Sequence, residues 1–455
     1  MINWKPSGID AGKPRYIAIA DAISKDIADG RLAVGDRLPP QRRLAAELGI
    51  DFTTVSRAYA EAQARGLVDS HVGRGTFVAE AARRVAPDPA RGRASDLSMN
   101  MPPEPDDPDL VARMQAALGY VSANLVDLLR YQAPLGTDRD REAASIWLSL
   151  RGMIPSMDRV AVTPGAHATM AAIFSIITRP GDRVLCEAVT YPGLRNIAGR
   201  FGIELVGLET DADGVTPDAL EDAIARHAPK ALYLNPTLQN PTTHTIPEAR
   251  RQQVSEILNQ YDLTLIEDDA YGFIPARAPA PIAVSSPDLT WHIGGLAKCI
   301  GAGLRLAYTI APSPKCAHRL AQAIRALAVM PSPLSMALTT QWIEDGTADS
   351  IRRFIRAETA ARQQIAAEAL EGMTFAGAPN AFNVWLTLPP GFTRASTVAR
   401  LAGRPLGVVP SDAFTVAGTP GEMLRVGLGG PISRDELSEH LHFLGAALSG
   451  SSYMG

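Results

Sequence analysis

Apolar residues recur at helical spacing through the first sixty or so positions, and after a polar stretch they gather into short runs alternating with amphipathic segments. From Pro14 the chain predicts a helix with Tyr16, Ala20, Ile23 and Ile27 on one face, Lys25, Asp26 and Asp29 off it, and Gly30 as its stop. Leu38-Pro39-Pro40 places proline at a second start, Leu44, Ala45 and Leu48 form the buried stripe, and Gly49 closes that short helix. Asp51 is placed to cap a third helix with Val55, Ala58, Tyr59 and Ala62 facing inward. Its outward face opens with Thr53, Thr54, Ser56 and Arg57, small polar residues and a cation that suit a helix entering a major groove. Leu67 to Val72 and Thr76 to Val78 then flank Gly73-Arg74-Gly75, the pattern of a hairpin with one cation at its tip.

Residues 80–96 show no apolar periodicity and read as a linker. Beyond residue 97, strand-like runs fall at Val160 to Val162, Arg183 to Glu187, Ala231 to Asn235, Leu263 to Glu267, Trp291 to Gly294 and Leu306 to Ile310. Helical patterns such as His167 to Ile177 and Pro247 to Gln260 lie between them. That alternation predicts an α/β domain around a mostly parallel sheet, with ligands at the strand ends.

Composition narrows the class. A chain of 455 residues, 46% hydrophobic and 20% charged, has room for two or three cores. No apolar run is long enough to span a bilayer and the N-terminus has no cleavable signal pattern, so a cytoplasmic protein without a membrane partner is expected. Cys186, Cys299 and Cys316 are too few and too scattered for disulfides or zinc, and no metal site is expected. Residues 1–95 carry 15 Lys+Arg against 11 Asp+Glu, whereas the remainder carries 29 against 37. That asymmetry allows a nucleic-acid-binding N-terminal part.

Candidate chemistry lies at the predicted strand ends. Trp291 to Arg305 sets Lys298 among glycines and follows it with an arginine, so an amine able to attack a carbonyl and a guanidinium able to clamp a phosphate are close in sequence. Thr163-Pro164-Gly165-Ala166 opens a helix whose first amides suit an anion. Tyr191 offers a ring for stacking, Asn240 an amide in a Pro-bounded turn, and Asp268 and Asp269 end an apolar strand just before Tyr271. A buried carboxylate there needs a partner, and a protonated pyridine nitrogen would be one.

Two resemblances follow from these motifs. Arg37-Leu-Pro-Pro-Gln-Arg-Arg-Leu-Ala-Ala-Glu-Leu-Gly, Thr53-Thr-Val-Ser-Arg-Ala-Tyr and Gly73-Arg-Gly-Thr-Phe-Val78 resemble the winged helix-turn-helix of GntR-family regulators. The resemblance implies that Arg42 holds the DNA backbone, that Thr53, Thr54, Ser56 and Arg57 face the groove, and that Arg74 and Gly75 form the wing tip. Many members carry arginine where this chain has Phe52. The body resembles fold-type I, aspartate-aminotransferase-like proteins that bind pyridoxal 5'-phosphate (PLP), with a smaller C-terminal α+β subdomain. This implies that Lys298 forms the internal aldimine, Asp268 pairs with the ring nitrogen, Asn240 and Tyr271 meet the phenolic oxygen and Tyr191 stacks on the ring. The phosphate would meet Gly165, Ala166, Arg305 and a partner subunit's Tyr131, while Arg425, in Leu424-Arg-Val-Gly-Leu, would grip an α-carboxylate. Enzymes of this type usually carry a hydroxyl residue at the position of Gly295, often serine at Ala297, and glycine at Thr243.

A head over 1–79, a linker over 80–96 and a body over 97–455 is similar to the MocR/GabR-type subfamily. The resemblance implies a head-to-tail homodimer on operator DNA. An amine or amino acid would displace Lys298 from PLP as an external aldimine and so control a metabolic or transport operon, with little or no transaminase turnover. A working aminotransferase with an appended head, and a regulator without cofactor, are the alternatives.

Overall fold

The computed structural model describes residues 4–6, 12–71, 75–79 and 98–449. The linker predicted over 80–96 and Arg74 of the predicted wing tip lie outside them. The chain divides into two compact units, Met1–Ala94 and Ser95–Gly455.

In the first unit, α1 (Arg15–Ala28), α2 (Gln41–Leu48) and α3 (Phe52–Ala64) precede a hairpin of β1 (Val68–His71) and β2 (Gly75–Val78). Each boundary has a local cause. Gly49 closes α2 at φ 63°, and the Asp51 carboxylate accepts the Thr53 N–H at 2.7 Å to start α3. Ile19, Ile23, Leu44, Val55, Ala58 and Tyr59 fill one core, and the Tyr59 hydroxyl donates to the Pro39 carbonyl at 2.8 Å. Two expectations change. Asp26 is buried rather than solvated, because Trp4 Nε1 donates to it at 2.7 Å and Arg31 pairs with it at 2.6 Å. Gly75 belongs to β2, paired with His71, rather than to the tip.

The second unit is built on seven strands: β3 (Val160–Thr163), β4 (Arg183–Glu187), β5 (Glu204–Leu208), β8 (Ala231–Leu234), β9 (Thr264–Asp268), β10 (Thr290–Gly295) and β11 (Ala307–Ile310). A separate two-stranded ribbon, β6 (Thr210–Asp211) with β7 (Gly214–Val215), follows β5. The large sheet runs β3-β11-β10-β9-β8-β4-β5, parallel from β10 to β5, with β11 antiparallel to both of its neighbours. Helices such as Ala166–Ile177 and Glu248–Tyr261 connect the strands. Strands β3, β8 and β10 are buried along their whole length, and this is why they read as unbroken apolar runs. Edge strand β5 is absent from the predicted runs: Glu204 and Gly207 interrupt its apolar pattern, and it is only partly covered.

A second, antiparallel sheet of β12 (Phe375–Ala376), β13 (Asn383–Thr387), β14 (Val408–Pro410) and β15 (Met423–Gly427) runs β12-β13-β15-β14. Leu437, Leu441 and Leu444 of the helix Arg434–Leu448 share a core with Leu386, Leu424 and Val426. Each such leucine contributes roughly 1.5–3 kcal/mol, enough to hold β15 and its Arg425 in place. No helix among the described residues is long and apolar enough to cross a membrane.

Candidate functional site

The ends of β9 and β10, the middle of β15 and the turns after β3, β4 and β8 bring the candidate residues together. At the end of β9 two adjacent aspartates have opposite environments. Asp269 is fully buried, bonded by Arg151 Nε at 2.9 Å and facing His292 Nε2 at 3.3 Å. Burial opposes its ionisation, but Arg151 and His292 outweigh that and hold its carboxyl far below the usual range. Gly272 is required beside it, since a Cβ there would lie 2.0 Å from Asp269 Oδ1. Asp268 is also buried, but only its Oδ2 is engaged, by the Tyr233 hydroxyl at 2.9 Å; Oδ1 has no hydrogen-bond partner among the described residues. Burial pushes its carboxyl up to about 6. An orphaned, buried carboxylate oxygen suits a protonated ring nitrogen.

Lys298 sits in a wide turn after β10, where the Gly301 N–H donates to the Leu296 carbonyl five residues back at 3.1 Å. Its ammonium donates to the Asn100 carbonyl and lies 6.0 Å from the centre of the Tyr271 ring. Burial, then Arg425 and Arg305, lower Lys298 to about 8, with Asp268 opposing. Tyr271 is 3% exposed, and its hydroxyl accepts from Asn100 Nδ2 at 3.0 Å.

The turn after β3 forms an anion cup. Gly165, at φ 88°, precedes the helix Ala166–Ile177, and a Cβ on it would come within 3.5 Å of Arg305 Nη2. A helix N-terminus and a guanidinium thus lie side by side, a combination that suits an anion. Tyr191, after β4, lies over Gly193, where a Cβ would fall 2.2 Å from the ring. Burial raises the Tyr191 hydroxyl, and the charges of Asp268, Arg305 and Arg425 all reach it.

Asn240 and Arg425 meet: Arg425 Nη1 donates to Asn240 Oδ1 at 3.2 Å, and Nη2 donates to the Ser98 carbonyl. Arg425 is 4% exposed and its Nε has no partner among the described residues. Asn240 is not bonded to Tyr271; it is placed by its own N–H donating to Asn235 Oδ1 at 3.0 Å. Tyr131 is 86% exposed. Ser98, Asn100, Tyr233 and Asn383 escape the sequence reading. Asn383 Oδ1 accepts from Asn100 Nδ2 at 3.0 Å. Nothing in the chain order signals these four, whose partners are remote.

On the head, Arg42, Thr53 and Arg57 are exposed, Thr54, Ser56 and Gly75 half-buried. The Arg42 guanidinium lies 5.8 Å over the Phe52 ring, so α2 returns a cation to the corner where Phe52 replaces arginine. Arg57 lies 4.2 Å over Tyr16 of α1.

Residues 96–442 match the family model described as aminotransferase class I and II. The chain belongs to the aminotransferase class I and II family. Residues 15–78 also match the bacterial regulatory proteins of the gntR family, so this family member carries a gntR-type head, the MocR-type architecture. It is 29% identical to the uncharacterized HTH-type transcriptional regulator YdeF of Bacillus subtilis over 97% of this chain and 96% of that one. It is 26% identical to the probable rhizopine catabolism regulatory protein MocR of Rhizobium meliloti, over 78% and 77%. The fold matches LysN, the alpha-aminoadipate aminotransferase of Thermus thermophilus solved with N-(5'-phosphopyridoxyl)-L-leucine, at TM-score 0.70 and 22% identity, covering 80% of this chain and 96% of that one.

Within this aminotransferase-family pocket, two of the departures acquire a geometry. A Cβ at Gly295 would meet the Ala166 Cβ at 3.5 Å, an ordinary contact, so the cup has room for the hydroxyl residue it lacks. Thr243 adopts φ 62°, a backbone that glycine takes without strain.

Proposed function

We propose that the chain is a PLP-dependent, DNA-binding transcriptional regulator that senses an amine or amino acid bearing a carboxylate. The observation that carries this reading is the contrast at the end of β9: Asp269 is neutralised by Arg151, while Asp268 keeps one buried oxygen unpartnered beside a lysine lowered to about 8, in a chain that also carries a gntR-type head. When bound, PLP supplies an aldehyde that condenses with primary amines. Lys298 would hold it, Asp268 would keep the ring nitrogen protonated, Tyr191 would stack on the ring, and Asn240 and Tyr271 would bound its phenolic side. Gly165, Ala166 and Arg305 would hold the phosphate, with Tyr131 from a partner subunit in a head-to-tail homodimer. Arg425 would receive the effector carboxylate as a bidentate pair. On the head, Arg42, Thr53, Thr54, Ser56, Arg57, Arg74 and Gly75 would face operator DNA. The active form works in the cytoplasm.

A second reading, a working aminotransferase, is favoured by the survival of Lys298, Asp268 and Tyr271 in one pocket. Pure protein loaded with PLP is to be mixed with amino acids and a keto acid, and separately with DNA selected from a random pool. The regulator reading expects an absorbance shift with amines, fewer than a handful of turnovers and DNA retention that changes with the amine. Sustained turnover without retained DNA would establish the enzyme instead.

A further inference from the structure

Two cations of the pocket, Arg425 and Lys298, are held by backbone carbonyls of one short stretch. The Ser98 carbonyl accepts from Arg425 Nη2 and the Asn100 carbonyl accepts from Lys298. Ser98 and Met99 face solvent, Met99 being 55% exposed, while Asn100 is 5% exposed and bonds Tyr271 and Asn383. Immediately downstream the chain is pinned. Gly430 N–H donates to the Pro102 carbonyl at 3.1 Å, Pro103 pairs with Gly430, and a Cβ at Gly429 would fall 1.7 Å from the Met101 carbonyl oxygen. The anchor at Gly429 and Gly430 lies just beyond β15, the strand that carries Arg425. Upstream, Ser98 continues directly into the residues that join body to head.

We propose that residues 98–100 are a strap occupying the carboxylate subsite of the ligand-free protein, and that the effector works by evicting it. This rests on Arg425 being the carboxylate anchor. A neutral carbonyl holds one edge of the guanidinium with one hydrogen bond, whereas a carboxylate makes two charge-assisted bonds to it, each about twice as strong. Nη1 is held by Asn240 and Nε has no partner among the described residues, so a carboxylate takes the Nε–Nη2 edge and sets a charged oxygen against the Ser98 carbonyl oxygen on the same nitrogen, which repels it. An arriving carboxylate therefore displaces Ser98, and the strap pivots on its pinned segment at Met101 to Pro103. Because the strap is the body's first turn after the connection to the head, the message to DNA begins as this displacement. Asn100 sets the threshold: its side chain ties the strap to Tyr271 and Asn383, so it is a positioning residue for ligand release and entry.

The test uses the full-length, PLP-loaded protein with a nitroxide on Met99→Cys in a Cys316→Ser background, together with DNA selected by the protein from a random pool. Wild type should show an immobile nitroxide without ligand and a mobile one with a saturating equimolar mixture of amino acids. Arg425→Gln should show the mobile spectrum with no ligand, because its hold on Ser98 is gone. Its DNA affinity, and that of Asn100→Ala, should move several-fold toward the value of amino-acid-saturated wild type. A simple carboxylate anchor without a strap makes the opposite forecast, that Arg425→Gln is blind to ligand and behaves as ligand-free wild type in both assays; that result overturns the proposal. A retained cofactor band shows that each variant is folded. If Arg425→Gln responds to the amino acids with wild-type affinity, the carboxylate-anchor reading itself falls. If wild type responds but its nitroxide does not loosen, the strap alone falls.

Discussion

The head and the body hold their working side chains in different ways. On the head Arg42, Thr53 and Arg57 are exposed: Thr53 bonds Asp51 two residues away, Arg42 rests on the face of Phe52 ten positions on, and Arg57 reaches Tyr16 of α1. In the body Lys298 is half-buried and Arg425 buried, and both are held across the fold, Lys298 by a residue 198 positions away and Arg425 by residues 185 and 327 positions away. Exposed charges cost little to change. Buried ones alter each other's protonation and carry part of the stability, so binding and folding are separable in the head and coupled in the body.

The largest expected effect is at Lys298. Lys298→Ala should abolish the cofactor band altogether while leaving DNA retention by the ligand-free protein intact; loss of both would mean that head and body are not separable. In wild type the free amine predominates above about 8, so the rate of PLP uptake followed by absorbance should rise with pH and level off beyond that point. Next comes Asp269→Ala, which strands Arg151 in the core and should destabilise the body by about 3–5 kcal/mol in chemical unfolding. Its neighbour should act oppositely. Asp268 is raised above its unfolded value, so its ionisation burdens the cofactor-free fold above pH about 6 and not below about 4. Asp268→Asn should then raise cofactor-free stability at pH 7 by up to about 3 kcal/mol, lose that advantage in acid, and weaken PLP binding. A uniform loss of stability at both pH values would remove the distinction drawn between the two aspartates.

Arg42→Ala probes the other side of the comparison. DNA affinity at low salt should fall about ten-fold and the salt dependence should decrease by about one ion, with no change in melting temperature or cofactor spectrum. The smallest effect is expected at Thr243, where Thr243→Gly should relieve left-handed backbone strain of about 1–2 kcal/mol but lose about 0.4–1 kcal/mol of it to glycine's freedom in the unfolded chain, read as a slightly higher melting temperature.

How much is legible in the sequence follows the same divide. The head's caps, stripes and stops lie within a few residues of one another, and Gly49, Asp51 and the Val55 to Ala62 face can be read directly; Asp26 misleads because its partners Trp4 and Arg31 come from outside the helix, and Gly75 because it pairs into β2. In the body, the buried parallel strands announce themselves as apolar runs, Asp268 and Lys298 stand out as polar residues at or just past their ends, and Arg425 stands out as the one charge within the apolar β15. The turn and strap residues do not. Asn100 and Ser98 act through backbone carbonyls, which every residue possesses, and Asn383 looks like any polar residue in a strand until its partner is seen. Edge strand β5 is hidden for the reverse reason, since partial cover weakens the apolar signature.

The reversed direction of β11 has a consequence for how this pocket tolerates change. Because Ala307 pairs with both Thr163 and Gly295, the chain leaves β10 and re-enters the sheet on the same rim, and the excursion over residues 296–306 carries Lys298 and Arg305 together. Hook and clamp for one small molecule are therefore spaced by a single hairpin-like loop with its two feet fixed. Point substitutions at its other positions can be absorbed singly, but an inserted or deleted residue would shift the reach between the two anchors and disable both at once.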